Sequence, residues 1–135
     1  MDGKKLASVL VMSIGILVLP PLTLAGDAGS GRELYLEYCS SCHGADGKGK
    51  GPVSGDLKIK VPDLTMLAKS NKGVFPFPRV MSAIDGTRKI RGHGEPAMPV
   101  WGEVFREELK TEKYQELTTL RKTQAITDYI SSLQR

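Results

Sequence analysis

Apolar residues recur along this chain in short groups at helical spacing, and the clearest group lies near the C-terminal end. Ile126, Tyr129, Ile130 and Leu133 fall at i, i+3, i+4 and i+7, the pattern of a helix with one buried face, which predicts a helix over about Thr118 to Leu133. Leu34, Tyr35 and Tyr38 share the same spacing and predict a short helix over Arg32 to Tyr38. Leu64 to Ser70 reads as another, with Asp63 as its N-cap and Gly73 as its stop. A further helix begins near Phe77-Pro78, since proline is tolerated in a first turn, and closes before Asp85-Gly86. The last short one runs from about Trp101 to Leu109. No stretch alternates with period two for long enough to argue for sheet, so the reading is all-α.

The polar and glycine-rich intervals separate these helices. Gly44 to Gly55 carries five glycines and a proline, which makes regular structure costly and requires a loop. Gly26 to Gly31 has the composition of a flexible linker. Arg91 to Pro99 reads as loop as well.

One apolar run differs in kind from the rest. Asp2, Lys4 and Lys5 precede an almost wholly apolar stretch from Leu6 to Leu19, which Pro20-Pro21 ends; Thr23-Leu24-Ala25 then offers small residues for cleavage. Residues 1–25 therefore read as a secretory signal peptide. The alternative is a retained membrane anchor over residues 6–25, because 20 residues suffice to cross a bilayer as a helix, although Pro20-Pro21 interrupts it. Residues 26–135 form a single small domain in either case, exported to the periplasm or anchored to the membrane there.

The 135 residues carry a formal net charge of +4, and loss of residues 1–25 lowers it only to +3. So mild an excess gives no ground for a nucleic-acid partner. The two cysteines, by contrast, change the picture. They stand together in Cys39-Ser40-Ser41-Cys42-His43, the spacing of c-type haem attachment. Two thiols on one turn of backbone can add to the two vinyl groups of one porphyrin. The adjacent histidine is then held beneath the ring, where a neutral imidazole nitrogen can ligate the iron. A dithiol-redox reading would want a preceding strand and βαβ surroundings, and neither is visible.

A haem carrier needs a second axial ligand to exclude small molecules, and Met66, Met81, His93 and Met98 are the candidates after residue 43. Met66 and Met81 fall in predicted helices, where core filling explains them. Met98 lies in Glu95-Pro96-Ala97-Met98-Pro99, a proline-bracketed loop stiff enough to hold a thioether in place, and is favoured over the loop residue His93. Methionine is a soft, uncharged ligand that favours ferrous iron and raises the reduction potential relative to a second imidazole. The Pro52 carbonyl is a candidate acceptor for the other ring N–H of His43. Trp101, Arg88, Lys89 and Arg91 are candidates for the haem propionates.

Taken together these residues resemble the class I cytochromes c over nearly all of the chain after residue 25. Gly31, Tyr35 and Cys39 are similar to the family's glycine and aromatic in the N-terminal helix, and Ile126 and Tyr129 to the pair they cross in the C-terminal helix. Gly51-Pro52 and Met98 match the family's loop and distal ligand. Pro62-Asp63-Leu64-Thr65, Gly73-Val74-Phe75-Pro76-Phe77 and the run from His93-Gly94 to Trp101-Gly102 resemble bacterial, exported, single-haem members.

The resemblance implies about three to five short helices wrapped around one covalent haem c. It implies Cys39 and Cys42 as attachment residues, His43 and Met98 as iron ligands, and one-electron transfer rather than catalysis of a reaction. The leading expectation is a soluble carrier between redox partners in the cell envelope. The alternative is a permanently docked haem subunit of a larger dehydrogenase or oxidase. Lys48, Lys50, Lys58 and Lys60, with Arg88, Lys89 and Arg91, suit a partner with an acidic docking face.

Overall fold

The computed structural model describes residues 28–87 and 100–135. The signal peptide or anchor expected over residues 1–25 lies outside the described residues, as do His93 and Met98. Among the described residues there are six α-helical segments and no strands. They are α1 (Ala28–Tyr38), α2 (Ser40–His43), α3 (Leu67–Ser70), α4 (Phe77–Asp85), α5 (Trp101–Glu108) and α6 (Gln115–Ser132). Two of them, α2 and α3, are single turns of four residues, so four helices of at least two turns carry the fold. None of the described helices is long and apolar enough to cross a membrane.

The principal contact joins the two ends of the chain: α1 lies across α6. Gly31 makes that approach possible. A Cβ there would sit 3.0 Å from the Ala125 carbonyl carbon and 3.3 Å from Tyr129 Cβ, and nearer still to the Ala125 carbonyl oxygen. Beside the crossing, the rings of Tyr35 and Tyr129 meet at 5.2 Å between centroids. This contact corrects the linker reading of residues 26–31, because Ala28 to Gly31 form the first turn of α1. Glycine's poor intrinsic propensity, about 1 kcal/mol against alanine, yields to a packing position that only glycine fits.

The core consists of Tyr35 and Cys39 from the N-terminal segment, Val80 and Ile84 from α4, Phe105 from α5, and Ile126 and Ile130 from α6. On α6 the isoleucines share the buried face with Thr119, Thr123 and Thr127. Two of these hydroxyls are accommodated locally: Thr123 Oγ1 donates to the Thr119 carbonyl at 3.0 Å, and Thr127 Oγ1 to the Thr123 carbonyl at 2.8 Å. A buried hydroxyl bonded to its own helix avoids most of its desolvation penalty.

The segment expected as one helix over Leu64–Ser70 is divided, a 3₁₀ turn over Leu64–Met66 running into α3. Asp63 caps it as expected. Its Oδ1 accepts from the Thr65 backbone N–H at 2.9 Å and from the Thr65 hydroxyl at 2.6 Å, and the Thr65 bonds hold its carboxyl below the usual carboxylate range. The far end of the chain braces the same segment. Gln134 donates to the Leu64 carbonyl and accepts from the Ala68 N–H, both at 2.8 Å, and Arg135 reaches Thr65 Oγ1 at 2.8 Å and Asp63 at 3.4 Å.

Candidate haem site

The motif residues sit at the end of α1, where the helix runs on into α2 with one interruption. The Cys39 N–H donates to the Tyr35 carbonyl and the His43 N–H to the Cys39 carbonyl, both at 2.9 Å. Cys39 and His43, four positions apart, therefore project from one side of a single helical turn. Both are buried, at 7% and 5% exposure.

The glycine loop folds back to close the motif from below. The Gly49 N–H donates to the His43 carbonyl at 2.8 Å, that of Gly51 to the Cys42 carbonyl at 3.0 Å, and that of Val53 to the Ser41 carbonyl at 3.1 Å. Those carbonyls end a helix and need partners of this kind. The loop lies so close that a Cβ at Gly51 would stand 2.6 Å from the Ser40 carbonyl oxygen, so position 51 admits glycine alone. The Tyr35 hydroxyl donates to the Gly44 carbonyl at 2.8 Å, and burial raises its pKa well above the usual phenol range.

Cys39 and His43 open on the same cavity of about 330 Å³. Leu64, Leu67, Val80, Ala83, Ile84, Trp101 and Ile130 make its wall apolar. Ser70, Asn71 and the exposed Arg79 supply polar groups at its margin. An apolar cleft with a few polar groups at one edge and a thiol and an imidazole in its wall suits a flat, greasy ring with carboxylate substituents. The residues present fit a haem. Cys42, half-buried, stands one position before His43, is not among the described residues lining the cavity, and accepts a weak bond from the Ser41 hydroxyl at 3.9 Å.

The electrostatics set Cys39 apart from a redox dithiol. Burial, and secondarily the neighbouring Cys42, push its thiol up to about 12. Thiol–disulfide exchange needs a thiolate, and this sulfur stays protonated.

Of the other residues singled out in the sequence, Trp101 lines the cavity and also packs edge-on against Tyr38, with ring centroids 5.2 Å apart, so it serves the wall and the aromatic cluster at once. Met81 lines a different hollow, and Met66 is not among the described wall residues. Met98 and His93, with Arg88, Lys89 and Arg91, lie outside the described residues. Arg79, Asn71 and Ser70 were not legible as site residues: nothing in the local sequence distinguishes them from ordinary surface positions.

Residues 26–118, more than two thirds of the chain, match the family model described as cytochrome c oxidase, cbb3-type, subunit III. No curated protein and no solved structure matches the chain.

Proposed function

The chain belongs to this family of haem-bearing electron-transfer proteins, and from that premise we propose that it carries one electron at a time through a single covalently attached haem c. Cys39 and Cys42 are the proposed attachment residues. Their two sulfurs would hold the porphyrin covalently through thioether bonds. His43 and Met98 would supply the iron with an imidazole nitrogen and a thioether sulfur. The haem, when bound, supplies a one-electron iron couple.

The observation that carries this reading is the shared cavity: Cys39 and His43, both buried, open on one largely apolar space. The remaining roles belong to the chain itself. Leu64, Leu67, Val80 and Ile84 keep the surroundings apolar, which disfavours the more highly charged oxidation state. Arg79 and Trp101 are proposed to meet the propionates. The Pro52 carbonyl is proposed to orient the imidazole of His43. Residues 1–25 are proposed as an export signal, which would deliver the protein to the cell envelope.

Acid–acetone extraction of the purified protein tests the attachment. The haem should stay with the polypeptide, and Cys39→Ala or Cys42→Ala should sharply lower the yield of haem-loaded protein. Release of free haem from the unmodified chain overturns the proposal.

Two functional settings fit. In the first, the protein is a soluble carrier, steered to an acidic partner face by exposed Lys50, Lys58 and Lys60 and by Arg79 at the cavity margin. In the second, it is a docked subunit of a larger redox complex. A specific observation favours this second setting: Tyr114, Leu117 and Leu120 are 61%, 45% and 52% exposed along the start of α6. Native mass spectrometry of the gently solubilised protein separates the two, by the presence or absence of a second chain.

A further inference from the structure

A second hollow, of about 370 Å³, lies away from the motif between α4, α5 and the first half of α6. Met81 and Leu120 give it apolar walls, buried Thr119 and Thr123 line it from α6, and Asp85, Arg106 and Glu116 bring charge to it. Three features distinguish it from an ordinary surface dent.

The first is a hydroxyl. Thr119 Oγ1 is buried and has no hydrogen-bond partner among the described residues, whereas Thr123 and Thr127 on the same face are both bonded. An unpaired buried donor is a cost that a second molecule can remove. The second is apolar exposure. Leu117 and Leu120 stand one helical turn apart in solvent, and Leu120 itself walls the hollow. A single exposed leucine is commonplace, but a run of them beside an empty groove marks a contact surface. The third is charge. Arg106 is shared between Asp85 at 3.2 Å and Glu116 at 3.4 Å, so among the described residues lining the hollow these three leave one net negative charge.

We propose that this face receives an amphipathic helix of a partner subunit. The helix seats an apolar side chain between Met81 and Leu120, hydrogen-bonds Thr119 Oγ1, and sets a lysine or arginine against the Asp85 and Glu116 carboxylates. The proposal rests on the docked-subunit setting above. Leucines one turn apart form a ridge that packs against another helix. The surplus negative charge selects a basic flank.

The test uses the full-length, haem-loaded protein in its own cells, with a benzophenone side chain in place of Leu120. Mass spectrometry then identifies the cross-linked segment. The expected product is one other chain, joined through a segment with apolar residues at helical spacing and a flanking lysine or arginine. Leu117→Glu in the same protein should lower the yield about tenfold or more, as expected for a residue at the centre of an interface, and should leave the haem spectrum unchanged.

Thr119→Val supplies a readout that packing alone does not move. It should raise the melting temperature of the free protein by removing the unpaired hydroxyl, yet lower the cross-link yield. A cross-link to an acidic segment, a cross-link to a second copy, or a yield indifferent to both substitutions overturns the proposal. If no cross-link forms while native mass spectrometry still shows a second chain, the surface is wrong and the docked setting stands. If neither is seen, both fall.

Discussion

Replacing Gly31 with alanine sets two effects of opposite sign against each other. Gly31 lies inside α1, so by intrinsic propensity alone alanine should stabilise the helix by about 1 kcal/mol. Against this, the new methyl would lie 3.0 Å from the Ala125 carbonyl carbon and 3.3 Å from Tyr129 Cβ, and closer again to the Ala125 carbonyl oxygen. Overpacking of this kind costs about 1–3 kcal/mol, and the obstacle here is helix backbone rather than a side chain that can swing away, which argues for the upper end. The packed Tyr35 and Tyr129 rings beside the crossing leave little room for α1 to slide. The net expectation is destabilisation by about 1–2 kcal/mol. For a domain near a hundred residues this lowers the melting temperature by about 5–15 °C.

Thermal unfolding of the haem-loaded protein, followed by far-ultraviolet circular dichroism, reads this directly. Gly55→Ala is the control, because a Cβ at Gly55 meets nothing within 4 Å; its effect should stay within about 0.5 kcal/mol. A Gly31→Ala protein as stable as the parent, or more so, would refute the argument that the crossing of α1 on α6 requires glycine.

Three further outcomes are expected, the first from the proposed ligand pair and the other two from the structure. Met98→Ala should abolish the long-wavelength band of thioether-ligated ferric haem and let carbon monoxide bind the reduced protein, whereas His93→Ala should leave both properties as they were; the reverse outcome would assign the second ligand to His93. Asp63→Ala should lower the melting temperature at neutral pH, because the Thr65 bonds hold the Asp63 carboxyl below its ordinary 3.8. A lowered carboxyl stabilises the fold fully above its unfolded value and loses that contribution as pH falls through the lower folded one, so the gap between parent and variant should close in strong acid; a gap constant with pH would place the effect elsewhere. Electron transfer to an acidic partner should slow with salt, since a Debye length of about 10 Å at 0.1 M already screens long-range steering. Reversing Lys58, Lys60 and Arg79 to glutamate should depress the second-order rate, and reversing Glu107, Glu108 and Glu112 to lysine should matter much less; equal effects would mean that net charge governs encounter.

Much of the fold was legible because its helices are amphipathic and its loops are glycine-rich. Ile126 and Ile130 are buried where their spacing put them, and α4 and α5 begin where expected, at Phe77 and Trp101. The parts that escaped have identifiable causes. Thr119, Thr123 and Thr127 read as polar, yet a threonine whose hydroxyl returns to its own helix can lie in a core, and hydropathy does not register that bond. The helical state of Ala28 to Gly31 depends on Ala125, a residue from the far end of the chain. Arg79 became a site residue only when α4 was docked beside the motif. The cysteine–histidine motif was legible because its chemistry is local, whereas the wall of its cavity is assembled from four separate stretches of chain.

The burial of Cys39 also sets an order in time. Its sulfur lies in a space closed partly by Trp101 and Ile130, and Gln134 and Arg135 brace the opposite wall. All of these residues follow the motif in the chain and emerge from the ribosome after it. With these residues packed around it the thiol is only 7% exposed, so a porphyrin reaches it more readily before α6 has settled on α1. On the proposed attachment, thioether formation therefore belongs to the unclosed chain. Whatever machinery performs it must recognise five residues and their immediate neighbours as an extended segment, before there is any folded surface to read. On the same proposal, Gln134 and Arg135 would act as the clasp that closes this interval.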